Sequence, residues 1–326
     1  MMKKRLSGLL LAAALALPAW LIGKQLPIIG SPVLGILFGM LLAFWKRPPS
    51  FQDGIQFTAK KVLQYAIILL GFEMNLFNIF SVGKQTLLLM VFTLSAAFLT
   101  AYLAGKLLHL DRNTKILIGV GSAICGGSAI AATAPVIQAK DEEIAQSIST
   151  IFLFNVLAAF LFPFLGHALG MSDHTFGLWA GTAVNDTSSV VAAGYAFSDT
   201  AGSLAVIVKL TRTLAIVPIT LVLAMVTSKK TAETNASYSI AKIFPWFVLG
   251  FLGTSVLSTF LPLPAAFTHF LAQAGKFMIV MAMASIGLNT NIVKLVKNGT
   301  KPILLGFLCW CSIAVMSLAV QFLFQI

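Results

Sequence analysis

Gly121-Ser-Ala-Ile-Cys-Gly-Gly-Ser-Ala-Ile-Ala-Ala-Thr-Ala134 is a run of small and polar residues set inside an otherwise apolar segment. Sixty residues later a second version follows, Gly181-Thr-Ala-Val-Asn-Asp-Thr-Ser-Ser-Val-Val-Ala-Ala-Gly194. Laid over each other, Gly121 meets Gly181, Ser122 meets Thr182, Ser128 meets Ser188 and Ala132 meets Ala192. At membrane depth, glycine-rich polar backbone is tolerated only where protein or a water-filled cavity surrounds it. A matched pair of such patches points to the binding site of a transporter.

The surrounding composition places both patches in a membrane. Hydrophobic residues make up 58% of the 326-residue chain and charged ones only 10%, against roughly a quarter in a soluble domain. The expected fold is an all-α polytopic membrane protein. A net charge of +12 would suggest nucleic acid in a soluble chain, but loops on the cytoplasmic side of membrane proteins collect Lys and Arg. Cys125, Cys309 and Cys311 lie in apolar segments without metal or disulfide spacing.

Met1–Arg5 is basic and Leu6–Ile22 apolar, but Pro18 and Trp20 spoil a small-residue cleavage site, so an uncleaved first helix is expected. Ten further apolar segments are each long enough to cross the hydrocarbon core. They lie near 28–45, 57–75, 86–108, 115–138, 144–169, 176–197, 202–227, 240–260, 267–289 and 302–324, giving about eleven transmembrane segments. The loops are short, so residues 1–326 read as a single transmembrane domain. Residues 1–23 form an extra N-terminal helix, 24–169 and 175–326 are approximate halves, and Ser228–Ser239 is the most polar linker. Basic residues such as Lys3, Arg5, Lys46, Arg47, Lys106, Arg112, Lys230 and Lys301 fall on the side of the N-terminus, whereas Lys24, Lys84 and Lys276 fall opposite. This bias predicts a cytoplasmic N-terminus and an outside C-terminus.

A second repeat is present. Gly71-Phe-Glu-Met-Asn75 through Gly83 matches Gly287-Leu-Asn-Thr-Asn291 through Gly299 at a spacing of 216, and Val33-Leu-Gly35 matches Val248-Leu-Gly250 at nearly that spacing. The copies stand an odd number of segments apart, so they must be inverted, as in many secondary transporters. The two polar patches then fit either re-entrant hairpins dipping from opposite faces or two interrupted spanning helices.

Lys209 and Arg212 stand one turn apart on one helix face. Arg212 is placed ~15 Å into its segment, near the middle of the bilayer. Two buried cations there would hold an oxyanion, Arg through forked hydrogen bonds. The alternatives are an internal ion pair with Asp186 or Glu73, or Lys209 snorkelling outward. Asn185, Asp186, Thr187, Ser188 and Ser189 supply oxygens at an expected helix break, and Asn185 with Asp186 could couple to Na+ or a proton. The same pair could simply cap a helix start. Cys125, Gly126, Gly127 and Ser128 would let the backbone approach a substrate, or else pack helices closely. Glu73, Asn75, Asn289 and Asn291 end their segments near an interface, where solvation suffices.

Ala123-Ile-Cys-Gly-Gly-Ser128, Val184-Asn-Asp-Thr-Ser-Ser-Val-Val-Ala192 and Val208-Lys-Leu-Thr-Arg212 resemble the YeiH-type sulfate exporter family of inner-membrane proteins, over nearly the whole chain. That family is placed in the bile acid, arsenite and riboflavin transporter superfamily, so the resemblance implies an inverted-repeat core with interrupted helices crossing at the midplane. Ile124-Cys-Gly-Gly127 is similar to the Cys-Pro-Gly-Gly stretch of bile acid sodium symporters but lacks its proline.

The expected function is a secondary active transporter of a small anion, sulfate or sulfonate-like, across the bacterial inner membrane, coupled to Na+ or H+. An anion-selective channel and a non-transporting membrane sensor or scaffold are the alternatives. No His-Glu-x-x-His or Gly-x-Ser-x-Gly pattern suggests an enzyme. No resident cofactor or metal site is expected beyond Na+ as a coupling ion. The expected partners are the small anion and the lipid bilayer rather than nucleic acid, and a homo-oligomer is compatible with the sequence.

Overall fold

The computed structural model describes residues 2–25, 31–45, 47–215, 218–219, 222–223, 246–290 and 299–326. The Ser228–Ser239 linker and Asn291 lie outside the described residues. Every regular element described is helical, as the apolar composition predicts.

Helix α1 (Met2–Gln25) starts at what is termed here the N-terminal face, and α2 (Ser31–Leu41) returns to it. The Ser7 hydroxyl donates to the Ser50 carbonyl at 2.9 Å, fixing the next loop to the base of α1. A rod then crosses to the opposite face through α3 (Gln52–Phe57), a π turn (Thr58–Val62), α4 (Leu63–Leu70) and one 3-10 turn (Gly71–Glu73). Asn75 caps α5 (Leu76–Leu107) by accepting from the Phe77 amide at 2.8 Å, satisfying a free donor at the helix start. The other helices among the described residues are α6 (Arg112–Ala123), α7 (Gly127–Thr133), α8 (Asp141–Ala168), α9 (Asp173–Ala183), α10 (Thr187–Phe197), α11 (Asp199–Thr213), α12 (Trp246–Phe260), α13 (Ala265–Asn289) and α14 (Thr300–Phe324). Among the described residues, five helices are long and apolar enough to cross a bilayer: α1, α5, α8, α13 and α14.

Two of the eleven expected segments do not cross. Asn113, at the start of α6, donates to the Glu143 carboxylate at the start of α8 at 3.0 Å, so α6 and α7 enter and leave on the N-terminal face. Packing agrees, because a Cβ on Gly121 would lie 2.9 Å from the tip of Ile130 across the turn. Ser198, just past α10, donates to Asp173 at the start of α9 at 2.7 Å. Phe176 and Phe197 also stack there, with centroids 4.0 Å apart, so α9 and α10 form a hairpin from the opposite face. The 28-residue α8 runs between the two entry points. Of the two arrangements the sequence left open, the structure has re-entrant hairpins.

The long-range repeat is visible as an exchange of packing partners. Gly39 of α2 lies so close to the Ala284 carbonyl and Gly287 of α13 that a Cβ there would clash. Thr254 of α12, which occupies the register of Gly39, donates to the Ile68 carbonyl at 2.7 Å and presses on Gly71. Ile68 and Gly71 stand 216 residues before Ala284 and Gly287. Thus α2 packs on α13 as α12 packs on the rod, with direction reversed. Close backbone approach of this kind is how helices associate in lipid, where burying apolar surface gives little advantage.

Candidate functional site: the meeting hairpin tips

The first hairpin turns at Ile124-Cys125-Gly126. Gly126 has φ +68° and ψ −131°, a conformation that side-chain-bearing residues avoid, and this permits the reversal. The second turns at Val184-Asn185-Asp186 in extended backbone, and Asp186 caps α10 by accepting from the Ser188 amide at 3.0 Å and from the Ser188 hydroxyl. The tips touch: a Cβ on Gly126 would lie 3.5 Å from Asp186 Cβ and 3.4 Å from Asn155 Nδ2. Asn155, near the middle of α8, accepts from the Asp186 amide at 3.1 Å, which puts the junction at mid-depth.

Both α6 and α9 end at this junction, so two sets of carbonyls without intrahelical partners, each carrying about half a negative charge, converge there. Lys209 and Arg212 of α11 meet them. Arg212 Nε donates to the Ala123 carbonyl at 2.6 Å, Nη2 to Ser122 at 2.5 Å and Nη1 to Thr182. Lys209 Nζ donates to Ile124 at 2.8 Å and Val184 at 3.1 Å. Both side chains have no exposed surface. Among the described residues neither cation forms the alternative ion pair with Asp186 or Glu73; together they clasp five main-chain carbonyls.

The other sequence candidates gather around the clasp. Cys125, Gly126, Asn185, Ser188 and Ser189 are buried, Gly127, Asp186 and Thr187 are half-buried, and Ser128 is exposed. The Asn185 side-chain oxygen is buried without a hydrogen-bond partner. The patches therefore come together as expected, but Lys209 and Arg212 lie behind them. Asn155 was missed. A lone asparagine inside the apolar 144–169 segment was the available signal.

A second polar cluster lies toward the opposite face. Lys276 of α13, assigned from the basic bias to the side opposite the N-terminus, lies toward that face, where it is buried and pairs with Asp199 at 3.0 Å and Glu73 at 3.4 Å. Lys276 thus ties α13 to the rod through Glu73 and to the start of α11 through Asp199, while Glu73 itself is exposed, as its segment-end position suggested. A cavity of about 690 Å³ lies beside it, lined by Trp20, Lys24, Tyr195, Asp199 and Lys276 among others.

A long-helical membrane protein with paired re-entrant hairpins is the class these features define. The family model described as "Conserved hypothetical protein 698" matches residues 7–306. A UPF0324 membrane protein of Streptococcus pyogenes serotype M6 is 53% identical over 98% of this chain and 97% of its own length. UPF0324 membrane proteins of Streptococcus agalactiae serotype V and Fusobacterium nucleatum are 51% and 48% identical, each over 98% of this chain and 97% and 98% of their own lengths. The chain belongs to this UPF0324 family of membrane proteins.

Proposed function

We propose that the protein is a secondary active transporter of a small anion, with sulfate or a sulfonate as the favoured class, coupled to Na+ or H+. The observation that supports this most is the junction itself. Two unwound tips from opposite faces meet at mid-depth beside two buried cations, which is where transporter sites lie. Lys209 and Arg212 supply positive potential and hold the tips, while the tip residues Cys125, Gly126, Gly127, Ser128, Thr187, Ser188 and Ser189 line the solute position. Asp186 with the unpartnered oxygen of Asn185 is the coupling pair. No chemistry on the solute is required, so the reading is non-enzymatic. The N-terminal face is assigned to the cytoplasm of the inner membrane from the basic bias.

The test is flux of labelled sulfate and small sulfonates in proteoliposomes under imposed Na+ and pH gradients. Saturable, gradient-dependent flux that Asp186→Asn uncouples is expected. Ohmic current instead would make the protein a channel. No flux under any gradient for any of these anions would leave the sensor or scaffold reading.

A further inference from the structure

The two hairpins are alike in sequence but not in surroundings. On α7 and the turn after it, Ser128, Ala131, Pro135 and Gln138 form one exposed stripe. Their register mates on the second hairpin are Ser188, Val191, Tyr195 and Ser198, sixty residues on. Ser188 and Val191 are buried, and Tyr195 and Ser198 are half-buried. Val191 belongs to a buried cluster with Ile36 of α2, Ile279, Ala282 and Met283 of α13, Leu63, Ala66 and Ile67 of α4 and Phe251 of α12. Among the described elements, α7 packs substantially only on α6 and α8, whereas α10 is also seated on α2 and α13.

The composition of the exposed stripe suits water rather than lipid. The lipid-facing surface of α5 carries Leu87, Val91, Leu99 and Leu103, as hydrocarbon requires, while the α7 stripe has no large aliphatic residue. It leads from the N-terminal face to the half-buried Asp186, a carboxylate whose position at mid-depth calls for water or a partner. On the other side, the 690 Å³ cavity reaches Tyr195–Asp199, at the outer end of α10, and none of the tip residues lines it.

From this we infer that the structure is the conformation open to the N-terminal face, with α7 lining the solute's path, and that the opposite conformation exchanges the two environments. In the second state the α7 stripe is covered while α10 leaves α2 and α13. The exchange rests on the transport reading, but the open path does not.

Single cysteines introduced in membrane vesicles test it, on a Cys311→Ser background because Cys125 and Cys309 are buried. Ala131→Cys and Gln138→Cys should react with a membrane-impermeant maleimide about tenfold faster or more when the N-terminal face is presented, because thiol reactivity follows access. Val191→Cys should react slowly from both faces. Modification of Ala131→Cys only by a lipid-soluble maleimide, or of Val191→Cys as fast as Ala131→Cys, overturns the inference. Ser128→Cys serves as a second reporter if Ala131→Cys does not accumulate. Labelling as expected without anion flux would sink the transport reading and keep the path, and flux with the wrong labelling would do the reverse.

Discussion

The two hairpins solve one problem in two ways. Each must end a helix at mid-depth and reverse. The first does so with a glycine at positive φ, and the second with an aspartate in ordinary extended backbone whose side chain caps the next helix. Gly126 and Asp186 occupy the same register, so the first tip relies on main-chain freedom and the second on a side chain that also carries charge. A repeat need not preserve the residue at its turn, only the turn.

The largest expected effect tests whether the tips depend on each other. Arg212→Met leaves three buried carbonyls without a donor, two in the first hairpin and one in the second. At about 1–3 kcal/mol each, the loss should exceed ~3 kcal/mol and show as a large drop in melting temperature, or failure to elute folded, in detergent. Arg212→Lys should recover part of it. A melting temperature unchanged by Arg212→Met would mean that the clasp contributes little. Next, Gly126→Ala should cost about 1–3 kcal/mol through backbone strain, since the methyl itself has room. Asp186→Ala should cost only about 1 kcal/mol as a lost cap, despite greater damage to flux. A reversed order in thermal unfolding would break the comparison of the two turns. The smallest effect is expected at the outer cluster. Lys276→Met removes pairs to a 70% exposed Asp199 and a 34% exposed Glu73, so stability should change by no more than ~1 kcal/mol, and less at high salt.

Most of the architecture was legible because it is written in short-range chemistry. Apolar length marked the helices, small polar residues marked the breaks, and the offset between copies implied inversion. What could not be read was direction at each break, since an interrupted spanning helix and a hairpin share one composition. Asn113–Glu143 and Ser198–Asp173 decide it, and both are contacts between residues 25 or more apart. Lys209 and Arg212 were correctly placed at mid-depth, but their partners are main-chain carbonyls, which every residue carries and no sequence pattern distinguishes. Lys276 was assigned to the correct side, but its burial could not be read, because the acidic partners that hold it stand 203 and 77 positions away.

A single guanidinium bound to main chain from both hairpins makes them one mechanical part. Loosening either tip strips donors from the other, so the amides around Ala123 and Val184 should exchange with deuterium as one cooperative unit, at matching rates that respond together to denaturant, although the two segments enter from opposite sides of the bilayer.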